Sequence, residues 1–150
     1  MTNKSISSLM THDHRNCDQA IEEIEHLASI KDFNESLNAF TKWQDVNLTH
    51  FNIEEEYLFP ETANALGMKI PPIMVMEMEH LQIKKCFNEI EFALRHEDME
   101  KFQQLIETCL IMIQQHNMKE EQILYPIIDK ALFNKQDELI SLITTKITQS

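Results

Sequence analysis

The feature that most constrains this chain is an internal repeat, in which the second half matches the first at an offset of 66 residues. Four histidines carry it most clearly, because His14 and His50 stand 36 residues apart and so do His80 and His116. Further identities at the same offset are Met10 with Met76, Glu23-Ile24-Glu25 with Glu89-Ile90-Glu91, Asp32 with Asp98, Glu54-Glu55 with Glu120-Glu121, Leu58 with Leu124 and Pro60 with Pro126. A fixed period indicates two copies of one supersecondary unit, each burying its apolar face against the other.

The scarcity of turn-forming residues decides the fold class. One glycine and four prolines are too few for the frequent turns of an all-β protein, and the apolar residues recur at helical spacing. A chain of 150 residues that is 43% hydrophobic can bury one core, so residues 1–150 are predicted to form a single all-α domain.

Apolar periodicity and capping residues predict five helices. They cover about residues 7–28, 32–59, 72–95 and 98–126, with a short amphipathic tail helix over about 135–148. Asp32 and Asp98 are predicted to cap the second and fourth helices, and Pro60 to end or kink the second. Short connections make neighbouring helices antiparallel, which predicts an up-down-up-down four-helix bundle over about residues 7–130, with a pseudo-two-fold axis between its halves.

Charge and cysteine content exclude several classes of function. A net charge of −12 argues against nucleic acid or an anionic membrane as partner. Residues 1–10 lack the apolar core of a signal peptide, and no apolar run approaches the roughly 20 residues of a membrane helix. The three cysteines (Cys17, Cys86 and Cys109) form no CxxC motif, so they are predicted to be reduced and buried, with redox work as the weaker alternative, in a cytoplasmic protein.

The repeated histidines and glutamates predict a metal site. In His50-Phe-Asn-Ile-Glu54 and His116-Asn-Met-Lys-Glu120 the two donors are four residues apart, so both project from one face of a helix. A carboxylate can bridge two ions with its two oxygens, whereas an imidazole offers one nitrogen. Four imidazoles and two bridging carboxylates therefore suit two ions, and this nitrogen-rich set favours iron over magnesium or calcium. The predicted ligands are His14, His50, Glu54, His80, His116 and Glu120.

The same repeat also bears on other possible ligands. A single HxxxE is common on solvated helix faces, but two copies at one offset, each with a partner histidine, argue for metal binding. Glu55 and Glu121 are predicted to be mostly surface charges, with Glu121 as an alternative ligand to Glu120. Glu77 has the ExxH spacing of ferritin-like proteins with His80, but the matching place in the first half holds Thr11.

The remaining histidines lack partners at the repeat offset. His26 is predicted to lie on the surface and His96 at a helix C-terminus, where a cation is favoured. His12, two positions from His14, should point to another face and be solvated or lie behind the ligands.

These motifs resemble a known family. The segments that carry the resemblance are Asp13-His14-Arg15, HFNIEEEYLFP over residues 50–60, Glu79-His80, and HNMKEEQILYP over residues 116–126. Together they resemble the hemerythrin-like (HHE cation-binding) domain, over about residues 7–130. The resemblance implies a four-helix bundle with a non-haem di-iron centre, in which the four histidines are terminal ligands and Glu54 and Glu120 bridge the two irons.

One departure from the resemblance bears on function. Oxygen-carrying hemerythrins have a further histidine one turn before the one matched by His80, and that place holds Met76 here. The resulting set is symmetrical, as in the iron–sulfur-cluster repair proteins of this superfamily. The favoured function is reaction with peroxide, nitric oxide or dioxygen in oxidative or nitrosative stress. The alternatives are binding or sensing of dioxygen and iron donation for cluster repair, and the choice between enzyme and binding protein stays open.

Overall fold

The computed structural model describes residues 5–149. Residues 1–4 and residue 150 lie outside that range, and residues 1–4 are part of the stretch 1–10 in which no signal peptide was predicted. Within residues 5–149 the chain is helical and contains no β-strand. The α-helices are α1 (Ile6–Cys17), α2 (Ile21–Ser29), α3 (Phe33–Ile53), α4 (Phe59–Leu66), α5 (Pro71–Arg95), α6 (Met99–Lys119), α7 (Tyr125–Ala131) and α8 (Gln136–Thr148). None of the helices over residues 5–149 is long and apolar enough to cross a membrane.

The helices form a bundle of four long helical stretches and a C-terminal helix. α1 with α2, α3 with α4, α5, and α6 with α7 make the four stretches, and α8 follows after a 3-10 turn over Phe133–Lys135. α5 packs against α6 and α3, α2 packs against α3, and α1 contacts α7. α8 lies against α1 and α3, so the tail predicted over residues 135–148 is a helix that closes one side of the bundle.

The sequence repeat is reproduced in the local geometry of the two halves of the chain. Lys31 and Glu97, one offset apart, both adopt left-handed backbone conformations, with φ of 63° and 56°. Each is followed by an aspartate whose side chain accepts a hydrogen bond from the first turn of the next helix: Asp32 from Glu35 N at 3.3 Å and Asp98 from Lys101 N at 3.1 Å. The predicted caps are therefore confirmed, and they fix where α3 and α6 begin.

The prediction of one continuous first helix is wrong, because the structure has a break in it. Residues 7–28 form two helices, α1 and α2, separated by a turn over residues 18–20. Asp18 closes α1, and its N–H donates back to the carbonyls of Arg15 and Asn16. Asn and Asp have low helix propensity, and Asn16 and Asp18 stand where α1 ends. The corresponding part of the second half, α5, is continuous.

Pro60 was predicted to end or kink the second helix, and the structure shows that the helix does not end there. A π-helical turn over Glu54–Leu58 precedes the proline, and the helix continues as α4 to Leu66, where Gly67 with φ 78° ends it. An equivalent π turn over Glu120–Leu124 precedes Pro126. Proline has no N–H to donate to the preceding turn and crowds the carbonyl there, so a widened turn accommodates it without breaking the helix.

The apolar core is divided into two clusters, with a polar layer between them. On α5, for example, Met76 belongs to one cluster, Ile83 and Phe87 belong to the other, and His80 lies between them. On α3 and α6, His50 and His116 follow residues such as Trp43 and Ile113, which belong to the same cluster as Ile83 and Phe87. The fold therefore places the predicted metal ligands in a layer across the interior of the bundle.

Candidate metal centre

The structure brings all six predicted ligands together in the interior. None of their side chains is more than lightly exposed: relative exposure is 4% or less for His14, His50, Glu54, His80, His116 and Glu120. Buried polar side chains are costly unless they are paired with other polar groups or with an ion. A cluster of six within one core layer is therefore a functional arrangement rather than ordinary packing.

The donor atoms form two groups of four. One group comprises His14, His50, Glu54 and Glu120, and the other Glu54, His80, His116 and Glu120. Within each group the atoms lie within 4.8 Å of one another. The two glutamates belong to both groups, which is the arrangement expected of carboxylates that bridge two neighbouring ions.

The π turns position the shared glutamates. Glu54 and Glu120 are the first residues of the two π turns, directly after α3 and α6. His50 Nε2 lies 3.7 Å from Glu54 Oε2, and His116 Nε2 lies 3.3 Å from Glu120 Oε1. Each HxxxE pair therefore points inward from one helix face, and π turns are often found at such functional positions.

Four further carboxylates, called here the outer carboxylates, contact the Nδ1 atoms of the four histidines. Asp13 lies 2.7 Å from Nδ1 of His50, and Glu79 lies 2.9 Å from Nδ1 of His116. Glu55 lies 2.9 Å from Nδ1 of His80, and Glu121 lies 2.7 Å from Nδ1 of His14. All four imidazoles thus have a carboxylate on Nδ1, and each contact has its counterpart at the 66-residue offset.

This outer set corrects the reading of Glu55 and Glu121 as surface charges. Their side chains are 27% and 35% exposed, and each binds a histidine rather than standing free in solvent. It also separates Glu121 from Glu120: Glu120 is fully buried among the inner donors, whereas Glu121 meets the outer nitrogen of His14. Asp13 and Glu79 were missed because the repeat was read by identity, although both are carboxylates in matching positions.

The outer carboxylates decide which nitrogen each histidine presents to the centre. Each Nδ1–H donates a hydrogen bond to its carboxylate, so the neutral imidazole keeps its lone pair on Nε2. For His14, His80 and His116, Nε2 is the atom that lies near the shared glutamates. The four rings are therefore oriented as metal ligands usually are.

Several buried polar atoms in this layer have no hydrogen-bond partner, and they test whether a metal fits. They are Glu54 Oε1, His80 Nε2, His116 Nε2 and Glu120 Oε2, which all belong to the second donor group. His80 Nε2 lies 3.1 Å from Glu54 Oε1, yet the two are not aligned as a hydrogen bond. Buried groups are rarely left unpaired in native proteins, so two imidazole nitrogens and two carboxylate oxygens converging in this way suit a divalent or trivalent ion.

The buried imidazoles and carboxylates of this layer shift one another's pKa values. Burial opposes a charge on His50, but the Glu54 carboxylate and the hydrogen bond to Asp13 outweigh it and raise the pKa of His50 to about 10. Burial is outweighed in the same way at His116, whose pKa rises to about 9 beside Glu120. Burial would raise the pKa of Glu54, but His50 holds it well below the usual value. A metal ion would replace these shared protons as the counter-charge of the glutamates.

Tyr125 is the additional residue that sequence reasoning did not place in the site. It is fully buried, and its hydroxyl donates to Glu54 Oε2 at 2.7 Å. The same oxygen lies 3.0 Å from His14 Nε2 and 3.2 Å from His50 Nε2. Burial and the Glu120 and Glu54 carboxylates hold the pKa of Tyr125 well above its usual value. The signal for it was present, since Tyr125 replaces Phe59 at the repeat offset.

The three cysteines are free and buried, as predicted. Cys17 lies at the edge of the layer, with its sulfur within 4.8 Å of donor atoms of Asp13 and His50. Burial, together with the Asp13 carboxylate, raises the pKa of Cys17 far above its usual value, so the thiol stays protonated. Protonated thiols are poor ligands and poor nucleophiles, which leaves Cys17 a packing residue here.

The structure leaves the other polar candidates outside the centre. Glu77 pairs with Lys69 at 2.9 Å on the surface, so the ferritin-like pairing with His80 is not formed. His12 and His26 are exposed, and His96 closes α5 with Nδ1 2.9 Å from the Phe92 carbonyl.

Removing one outer carboxylate should weaken metal binding without abolishing it. In Asp13→Ala the imidazole of His50 loses the partner that fixes its orientation, and loss of such a partner usually costs about 10–100-fold in metal affinity. Competition with a chelator of known affinity measures this change. Asp45→Ala, which removes an exposed aspartate from the same helix as His50, is the control. Equal affinity in the Asp13 and Asp45 variants would show that the outer carboxylate does not support the site.

Comparisons with known proteins agree with this geometry. The family model described as the hemerythrin HHE cation-binding domain matches residues 5–128. Comparison with curated proteins and comparison with solved structures gave no match. The family match covers most of the chain and includes every residue of both donor groups, so this chain belongs to the hemerythrin HHE cation-binding domain family and is a metal-binding protein.

Proposed function

We propose that this protein holds two iron ions in the bundle interior and uses them to react with small oxidants. The observation that carries the proposal is the pair of buried donor groups that share Glu54 and Glu120. One ion would be held by His14 and His50, the other by His80 and His116, and both glutamates would bridge them.

The bundle that supports this centre is proposed to be a single domain with internal symmetry. Equivalent caps, π turns and outer carboxylates in the two halves support a pseudo-two-fold axis that exchanges the two metal positions. The tight connections at Lys31 and Glu97 support antiparallel helices on either side of each turn, in an up-down-up-down order.

The donor chemistry favours iron over the hard alkaline-earth cations. Magnesium and calcium prefer shells made of oxygen, whereas this site offers two imidazole nitrogens for each ion. Mixed nitrogen and carboxylate shells suit iron, and bound iron would supply one-electron redox chemistry. The family match supports the same metal.

The burial of the site limits its reaction partners to molecules of a few atoms. All six donors are at most 4% exposed. A surface cavity of about 600 Å³ between α5 and α6 is lined by none of them. Dioxygen, peroxide and nitric oxide are small enough to reach such a layer, and a nucleic acid, a membrane or a large substrate is not. We place this chemistry in oxidative or nitrosative stress in the cytoplasm.

The residues around the donors favour reaction over reversible storage. Met76 is buried within the apolar cluster next to His80, and a thioether is a poor ligand for ferric iron. Two histidines and two shared carboxylates leave coordination positions open to small molecules at both ions. Anaerobic mixing of the iron-loaded, reduced protein with peroxide, nitric oxide or air, followed optically, tests the proposal. Rapid oxidation is expected, and an iron centre inert to all three would contradict it.

A histidine at position 76 should slow oxidation of the reduced protein in air. Residue 76 lies one turn before His80 on the same face of α5, so Met76→His offers a further nitrogen to one ion and occupies an open position. Stopped-flow absorbance of the two proteins measures the rate, and we expect a decrease of about tenfold or more. Met78→His, which places an imidazole on the exposed side of α5, is the control. If the unmodified protein instead binds dioxygen reversibly, the oxygen-binding alternative is favoured.

A further inference from the structure

The hydroxyl of Tyr125 lies at the centre of one donor group. It is within 3.2 Å of one donor atom of each member: His14 Nε2, His50 Nε2, Glu54 Oε2 and Glu120 Oε1. These are the four residues of the first group. An ion held by them would therefore lie next to the phenol oxygen.

The second donor group has a similar ring but lacks the oxygen. Tyr125 stacks on His14 with ring centroids 5.6 Å apart and a 24° angle between the rings. Its counterpart at the repeat offset, Phe59, stacks on His80 at 6.0 Å and 16°. The two rings thus occupy equivalent places beside equivalent histidines. The repeat differs here by a single hydroxyl group.

The hydrogen bonding of the two groups differs accordingly. Two of the buried atoms without a hydrogen-bond partner, His80 Nε2 and His116 Nε2, are the histidine donors of the second group, and two more, Glu54 Oε1 and Glu120 Oε2, lie on the glutamates that both groups share. In the first group the Nε2 atoms of His14 and His50 both have the Tyr125 oxygen as a partner. The donor set is therefore symmetrical in its histidines and glutamates but asymmetric once Tyr125 is counted.

We propose that Tyr125 is a ligand of the first iron, through its phenolate oxygen, and that the two metal positions are chemically different. The inference rests on the proposed di-iron centre. On metal binding the phenol O–H bond breaks, the oxygen–metal bond forms, and the proton passes to solvent. An anionic oxygen is a hard ligand that suits ferric iron, and tyrosinate is an established iron ligand in proteins.

A Tyr125 phenolate ligand would give the two metal positions different properties. The first, with the phenolate, has one more negative donor, which stabilises the ferric state and leaves fewer open positions. The second is bordered by aromatic rings, since Phe51 stacks on His80 at 4.1 Å and Phe59 packs beyond it. Small molecules should therefore bind at the position held by His80 and His116, on the side away from Tyr125.

The spectrum of the ferric protein tests the assignment without measuring activity. Phenolate bound to ferric iron gives a visible charge-transfer band, and excitation within that band enhances phenolate ring vibrations in the resonance Raman spectrum. We expect both in the full-length, iron-loaded protein. Ring-deuterated tyrosine should shift the vibrations, which identifies them as tyrosine without any substitution.

Substitutions then identify which tyrosine is bound, because the chain has only two. Tyr125→Phe should abolish the band. Tyr57→Phe, which alters a ring 5.9 Å from Lys146 Nζ, should leave it unchanged. Phe59→Tyr should increase the band, because it adds the missing hydroxyl beside His80.

The outcomes separate this inference from the function on which it rests. Two irons per chain with no phenolate vibrations, or a band that survives Tyr125→Phe, would overturn the tyrosinate ligand and leave the di-iron centre standing. A folded protein that takes up no iron would overturn both. If Tyr125→Phe fails to fold, the isotope shift in the unmodified protein and the response to Phe59→Tyr still decide the question.

Discussion

Glu54→Ala and Glu120→Ala should each remove most of the bound metal, because each glutamate belongs to both donor groups. The unmodified protein, purified after growth with iron, should contain about two ions per chain, and each variant should contain fewer than about one. Elemental analysis of protein whose helical content is unchanged measures this. Removing a shared carboxylate takes one ligand from each ion and leaves its histidine neighbours with one less counter-charge.

The neighbouring glutamates supply graded controls for this experiment. Glu56→Ala, from an exposed position in the same π turn, should leave the metal content unchanged. Glu121→Ala removes the partner of His14 Nδ1, so it should weaken binding by about 10–100-fold rather than abolish it. If Glu121→Ala loses more metal than Glu120→Ala, the longer HxxxxE spacing supplies the ligand. If the unmodified, folded protein contains almost no metal, the di-iron proposal is wrong.

The inner ligands could be predicted from sequence because they follow two simple regularities. Helical spacing places His50 and Glu54 on one face, and the repeat offset then selects Glu120 and His116 from many similar residues. The caps at Asp32 and Asp98 followed from local hydrogen bonding alone. The HxxxE spacing and the caps each depend on only a few consecutive residues, and the structure confirms the caps and brings the donors together.

The outer carboxylates were harder to predict because they act between helices. Glu55 is next to Glu54 in sequence, about 100° around the helix, which suggests solvent if the helix is considered alone. In the bundle that direction faces α5, where Glu55 meets His80 Nδ1 at 2.9 Å. Asp13 and Glu79 were obscured because aspartate and glutamate are chemically but not literally identical. Comparing the halves by chemistry would have found this pair.

The break between α1 and α2 could not be read from apolar periodicity. The buried residues Cys17, Ile21 and Ile24 continue at helical spacing across it, so the pattern predicts an unbroken helix. The break lies at Asp18, where α1 ends, and low helix propensity over so short a stretch leaves the apolar pattern unchanged. Likewise, Pro60 was expected to end or kink its helix, but a π turn precedes it and the helix continues to Leu66. An equivalent π turn precedes Pro126.

Removing the metal should lower the melting temperature substantially. An ion that binds only the native state, present at a thousand times its dissociation constant, stabilises that state by about 4 kcal/mol. For a chain of this size that corresponds to a shift of about 8–16 °C for each ion. Part of the loss should be offset, because the raised pKa of His50 lets it pair with the Glu54 carboxylate in the metal-free protein. Thermal denaturation followed by circular dichroism, with and without a chelator, measures the shift.

Variants at single histidines connect this stability to the centre itself. His80→Ala removes a fully buried donor of the second group, so its melting temperature should respond less to chelator than that of the unmodified protein. His26→Ala, at an exposed position on α2, should respond as the unmodified protein does. An unchanged melting curve after metal removal has been verified by elemental analysis would contradict the proposal. It would mean that the His50 and Glu54 pairing and its counterparts satisfy the buried layer as well as an ion does.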